Sequence, residues 1–116
     1  MKVLIYLHTT MFLDSAYTAL NDVHEKTPIE KLYVIGGTEH FREQVHMYGG
    51  ATGIPTETLT PNWTKFGFSA LNKVVRSVLD GVGLVILPNI DANSLDLSHI
   101  ARDAGVTVKS LPVYGM

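Results

Sequence analysis

The chain of 116 residues contains no cysteine, which excludes a disulfide scaffold, a thiolate zinc site and a cysteine nucleophile. Basic residues are also few. Nine Lys and Arg stand against eleven Asp and Glu, and the formal net charge is −2. The Lys and Arg residues form no cluster, and a nucleic-acid groove needs a concentrated basic face, so we do not expect nucleic acid as a partner.

Long hydrophobic runs are missing as well. The opening run, Met1 to Leu7, is too short for a signal peptide or a membrane span, and the polar residues His8, Thr9 and Thr10 follow it at once. The absence of cysteine fits a reducing compartment. We therefore expect a cytoplasmic protein with no membrane partner. The length and a hydrophobic fraction of 46% predict one domain over residues 1–116 with its own core.

Short apolar runs alternate with amphipathic segments along the whole chain. Strands are predicted over residues 3–7, 31–35, 56–59, 84–87 and 106–111. Helices are predicted from Asp14 or Ser15 to about 24, from an N-cap at Thr38 to 49–50, over 68–79, and from Asn93 or Ser94 to 102, with a loop at 60–63. Right-handed crossovers make this order a single α/β Rossmann-like three-layer domain, with about five parallel strands and helices on both faces.

The stretch Tyr33 to His40 describes a buried strand that breaks at Gly36-Gly37 into a helix capped by Thr38. Free backbone N–H groups at such a helix start can bind an anion or a sugar-phosphate. The alternative is a tight turn that needs positive φ. Neither a complete G-x-G-x-x-G nor a Walker sequence is present, so we expect no standard dinucleotide or P-loop chemistry and no cofactor.

Ligands of parallel α/β sheets bind where the carboxyl ends of the strands meet. The loop after the first strand carries His8, Thr9 and Thr10, and the loop after the fourth carries Asn89 and Asp91. Asp91 could hold a ribose hydroxyl or act as a base. His8 and His40 could converge on a phosphate or serve as acid and base, and the alternative for each is a solvated polar residue. The spacing of the histidines fits no metal site.

Three further candidates follow the glycine pair. Arg42 lies in the first turns of a helix, where a cation is mildly unfavourable, so it either binds an anion or pairs with Glu39 or Glu43. Trp63 could stack on a base or line a pocket rim, or it could fill the space beneath the following helix. Asn72 could hydrogen-bond a ligand or be an ordinary exposed residue.

The chain resembles the SLOG superfamily of Rossmann-like proteins, and within it the small YspA-like branch. The similar segments are residues 1–5, Gly36-Gly37, 53–55, Trp63 with Gly67 and Asn72, 84–88 and 104–108. The resemblance implies a fold that binds nucleotides or nucleotide-derived ligands, which some members cleave. Leu7-His8-Thr9-Thr10 stands where the family has a Gly-Ser-Arg type loop, and the segment 89–94 stands where it has a glycine-rich phosphate loop. The loss of these glycines argues against catalysis.

These observations predict a binding module for a nucleotide-like small molecule. One alternative is a catalytically inactive interaction protein, with a homo-oligomer formed through apolar residues such as Met11, Phe12, Phe66, Phe68 and residues 113–116. The other is a nucleotide hydrolase with His8, His40 or Asp91 as acid or base. A small domain that lacks several motifs of the family is compatible with a viral or mobile-element source.

Overall fold

The computed structural model of the protein describes residues 1–8, 13–88 and 91–111. Thr9, Thr10 and Asn89 therefore lie outside the described residues, as do Met11, Phe12 and residues 112–116. The described strands are β1 (Lys2–Leu7), β2 (Lys31–Gly36), β3 (Thr56–Leu59), β4 (Val82–Leu87) and β5 (Thr107–Ser110). The described helices are α1 (Leu13–Lys26), α2 (Glu39–Thr52), α3 (Trp63–Phe66), α4 (Ala70–Leu79) and α5 (Ala92–Asp103), with a 3-10 turn (Gly67–Ser69) between α3 and α4.

All five described strands are parallel and lie in the order β3-β2-β1-β4-β5. In the register of the sheet, Leu7 of β1 lies opposite Gly36 of β2, and Ile5 lies opposite Ile86 of β4. The chain moves outward from β1 to β3 and then returns to place β4 on the other side of β1. The predicted α/β fold with a parallel sheet is confirmed, and its strand order reverses between β1 and β4.

Two hydrophobic layers hold the helices against the sheet. Successive strand residues point to opposite faces, so β1 contributes to both layers. Val3, Ile5 and Leu7 pack in the layer beneath α1 and α2. Leu4 and Tyr6 pack in the layer beneath α4 and α5. The side chain of Tyr6 therefore lies on the α4/α5 side of the sheet, near the end where the strand stops.

The structure corrects three helix starts. Helix α1 begins at Leu13, so Asp14 lies inside its first turn and neither Asp14 nor Ser15 is its N-cap. Trp63 was expected in a loop, but it begins α3, because the side chain of Asn62 caps this short helix by accepting from the Lys65 N–H at 3.0 Å. Asp91, rather than Asn93 or Ser94, is the N-cap of α5. Its Oδ1 accepts from the Ser94 N–H at 2.7 Å, while Ser94 Oγ accepts from the Asp91 N–H at 3.0 Å. This reciprocal pair is a capping box.

Helix α2 also continues where the sequence predicted that it would fray. It runs through Gly49 and Gly50 to Thr52 and closes at Gly53, which has φ +75°. Gly49 is buried against the start of β3, and a Cβ there would collide with Thr56 Oγ1 and lie 2.9 Å from Ile54 O. Close packing on β3 therefore explains a glycine at 49, and it makes the helix persist despite the poor helix propensity of glycine.

The two neighbouring glycines should respond in opposite directions to the same substitution. Gly50→Ala should raise the free energy of unfolding by about 0.5–1 kcal/mol, since no atom lies within 4 Å of the added Cβ. Gly49→Ala should lower it by about 1–3 kcal/mol, since the added Cβ overlaps Thr56 and Ile54. Urea denaturation of both variants measures the difference. Equal effects would contradict the close packing of α2 on β3.

Candidate functional site

The turn Gly36-Gly37 lies at the end of β2 and packs directly against the end of β1. Both residues have positive φ, +81° and +71°. A Cβ on Gly36 would lie 2.8 Å from Leu7 O, and one on Gly37 would lie 2.7 Å from Leu7 Cβ. The alternative prediction from the sequence, a tight turn that needs positive φ, is therefore confirmed. Glycine lets the start of α2 approach β1 more closely than any side chain would allow.

Arg42 binds the carbonyl groups of this turn. Its Nη1 donates to Gly36 O at 3.1 Å and to Gly37 O at 2.8 Å. Within the described ranges it forms no ion pair with Glu39 or Glu43, so the surface pairing weighed for Arg42 is not what the structure shows. The guanidinium neutralises two carbonyl dipoles, and its Nε and Nη2 groups have no acceptor among the described residues.

The start of α2 adds to the positive potential at this corner. Thr38 is the N-cap, as predicted, and its Oγ1 accepts from the Phe41 N–H at 3.2 Å. The backbone N–H groups of Gly37 and Glu39 have no hydrogen-bond acceptor in the part of the chain that the structure describes. Free N–H groups and the positive end of the helix dipole attract anions.

A cleft of about 310 Å³ opens beside the turn at the carboxyl end of the sheet. The turn and Arg42 form one wall, the residues that follow β3 form another, and Trp63 of α3 is 46% exposed. Trp63 lies at the rim and does not fill the space beneath α4. The full lining is Tyr6, Ile35, Gly36, Gly37, Arg42, Thr58, Leu59, Thr60, Pro61, Trp63, Leu71 and Asn93.

Behind the cleft, Tyr6, Asp91 and His8 meet where β1 ends and α5 begins. The Tyr6 hydroxyl donates to Asp91 Oδ2 at 3.2 Å, and His8 Nε2 lies 3.5 Å from the same oxygen. Both carboxylate oxygens are thus engaged, one by these groups and the other by the cap of α5. Burial raises the pKa of Tyr6 to about 12, and the Asp91 charge and hydrogen bond add to the shift, whereas a hydrogen bond from Asn93 opposes it.

This arrangement predicts a pH dependence of stability above pH 10. Between the ordinary pKa of 10.0 and the folded pKa of about 12, the folded state keeps the Tyr6 proton and the unfolded state releases it. The free energy of unfolding should therefore fall as the pH rises through this window. Tyr6→Phe should make the fall shallower, as measured by urea denaturation at pH 9, 10 and 11. Identical slopes for the two proteins would contradict the raised pKa of Tyr6 in the folded state.

Other predicted site residues lie elsewhere. His40 is exposed in the first turn of α2, where its ring contacts Phe41 with a centroid separation of 6.2 Å, and it does not line the cleft. Asn72 accepts a hydrogen bond from Arg76 Nε and lines a neighbouring groove between α4 and α5. Thr9, Thr10 and Asn89 lie outside the described residues.

Sequence reasoning missed four polar residues of the cleft. They are Tyr6, Thr58, Thr60 and Asn93. Tyr6 was assigned only to the core of a central strand. Two signals could have identified it: it shares a face of the sheet with Leu4, and it lies next to the end of the strand. Asn93 was interpreted as a cap, because Asn and Ser next to each other both suit that position.

Neither a metal cluster nor a membrane-spanning helix is found in the described part of the chain. No group of three His, Asp or Glu side chains there could hold a metal ion. No helix in the described ranges has the length and apolar character needed to cross a bilayer. The cleft itself is lined by main-chain groups, one guanidinium, hydroxyl groups, a side-chain amide and an indole, and the Tyr6, Asp91 and His8 contacts lie next to it.

No protein-family model, no curated protein and no solved structure matches this chain. A Rossmann-like fold serves many unrelated functions, so the function has to be argued from the site itself. The resemblance to the SLOG superfamily stays a prediction that rests on the sequence motifs.

Proposed function

We propose that the protein binds a nucleotide or a nucleotide-derived small molecule in the cleft at the carboxyl edge of its sheet, as a divergent SLOG-type domain. The observation that carries this proposal is that one cleft combines a glycine turn bound by Arg42 with an exposed indole. Its volume of about 310 Å³ falls at the lower end of the range typical of small-molecule sites.

The turn is suited to bind the anionic end of such a ligand. Gly37 brings bare backbone to the wall of the cleft, and Arg42 keeps N–H donors there that no described residue accepts. A phosphate placed against this wall would receive charge-assisted hydrogen bonds, which are stronger than neutral ones. Because Arg42 already satisfies the turn carbonyls, these oxygens repel the anion less.

Other residues of the cleft are suited to bind an aromatic base. Trp63 presents an exposed ring, and stacking on indole is tolerant of the identity of the base. Leu59 and Leu71 supply apolar contacts, while Thr60 and Asn93 supply hydrogen-bonding groups for a sugar or a base edge.

The described groups favour binding rather than hydrolysis. Asp91 does not line the cleft; its Oδ1 caps α5 and its Oδ2 accepts from the Tyr6 hydroxyl. A Tyr6 pKa of about 12 keeps the phenol protonated at neutral pH, so it cannot serve as a base. Among the described residues that line the cleft, the remaining charged group is Arg42, which supplies hydrogen-bond donors and no base.

Trp63 provides a direct measurement, because it is the only tryptophan in the chain. Titration with adenosine monophosphate should quench or shift its fluorescence. At a ligand concentration of 100 Kd the free energy of unfolding should rise by about 2.7 kcal/mol, and the melting temperature should rise with it. If no nucleoside mono- or diphosphate changes the fluorescence or the melting temperature, the proposal is wrong.

Arg42→Gln tests the wall of the cleft that is proposed to bind the phosphate. It should weaken binding of adenosine monophosphate about tenfold or more, because a charge-assisted hydrogen bond is lost, and it should leave adenosine binding unchanged. The matched control is Arg76→Gln, which removes an arginine bonded to Asn72 outside the cleft. An equal loss in both variants would indicate a general effect of net charge and would remove the role of Arg42.

A further inference from the structure

A second, smaller groove adjoins the cleft on the far side of Thr60. It encloses about 220 Å³ and is lined by Thr60, Asn62, Phe66, Ala70, Lys73 and Val74. Thr60 lines both spaces. A ligand that occupies the cleft could therefore extend past this residue without leaving the surface of α3 and α4.

Two lysines lie close to one aromatic ring of this groove, Phe66, and one of them, Lys73, also lines the groove. Lys65 Nζ lies 5.2 Å and Lys73 Nζ lies 4.9 Å from the centroid of Phe66. The two ammonium groups are thus no more than about 10 Å apart, within roughly one Debye length at 0.1 M salt, so they repel each other. The ring offsets part of this repulsion, and neither lysine has a carboxylate partner among the described residues.

The surrounding segment contains no compensating charge. Residues 58–79 include Lys65, Lys73 and Arg76 but no Asp or Glu, in a chain whose formal net charge is −2. An anionic group that binds both Lys65 and Lys73 would relieve their repulsion. Charge complementarity therefore favours a phosphate in this groove.

The groove repeats the chemistry of the cleft. Trp63 and Phe66 are three residues apart on α3, and side chains at this spacing are neighbours on a helix, with about 5–6 Å between their Cβ atoms. Each exposed ring shares its groove with basic side chains, Arg42 in the cleft and Lys73 in the second groove. The surface thus offers two exposed aromatic rings, each of which shares its groove with a basic side chain.

We infer that the ligand is a dinucleotide, with one nucleotide unit in the cleft and the second on Phe66, Lys65 and Lys73. This inference rests on the proposed function and adds the size and charge of the ligand to it. The small volume of the second groove and the net negative charge of the chain favour a free dinucleotide over a long strand, which needs an extended basic surface.

Calorimetry with two probes tests the inference, namely adenosine monophosphate and the 5′-phosphorylated dinucleotide pApA. The unmodified protein should bind pApA about tenfold or more tightly than adenosine monophosphate, because a second base stacks and a second phosphate is paired. Phe66→Ala and Lys73→Gln should each reduce the affinity for pApA toward that for adenosine monophosphate. Both variants should leave the affinity for adenosine monophosphate unchanged, which also shows that they are folded.

Arg76→Gln is the matched control, since it removes a cation of α4 that lines neither groove, and it should leave the pApA preference intact. Equal affinity of the unmodified protein for the two probes would overturn the inference while leaving the proposed function in place. Failure of both probes to bind would overturn the proposed function itself. A steady gain in affinity from pApA to longer oligoadenylates would also overturn the inference, because it indicates a general single-strand binder.

Discussion

The close contact between the Gly36-Gly37 turn and Leu7 is the constraint on which the rest of the site depends. Because neither glycine has a Cβ, the end of β2 packs against the end of β1 and α2 starts at the edge of the sheet. This placement puts Arg42, one turn into α2, within reach of the turn carbonyls. The cleft opens next to this turn on the α4/α5 side of the sheet, and Trp63 lies at its rim.

The architecture could be predicted from the sequence because each core strand is a short apolar run and each helix has one apolar face. Even the weak strand β3 was predicted over its observed range, Thr56–Leu59. The end of α2 was not predicted, because local propensity places a break at Gly49 and only packing against Thr56 shows why the glycine stands inside a helix. The start of α5 was not predicted for a related reason: Asp91, Asn93 and Ser94 are all good caps, and tertiary structure selects one of them.

The residues of the site show the same difference between local features and tertiary contacts. Gly36-Gly37 and Thr38 are local features, since a strand, a tight turn and a cap follow one another in the chain, and the sequence shows them directly. The side chains of Tyr6, Thr60 and Asn93 come from three separate segments, and only the folded sheet brings them to one cleft. The bonds from Arg42 to the turn carbonyls were not predicted, because only the folded turn shows that its carbonyl groups face the start of α2.

The borders of the sheet have a consequence for how the molecule behaves at high concentration. The outermost described strands, β3 and β5, are four residues long, and each contains a charged residue, Glu57 in one and Lys109 in the other. Short, charged margins are poor templates for the addition of another chain through main-chain hydrogen bonds. The sheet is thereby protected at both margins from growing into cross-β aggregates.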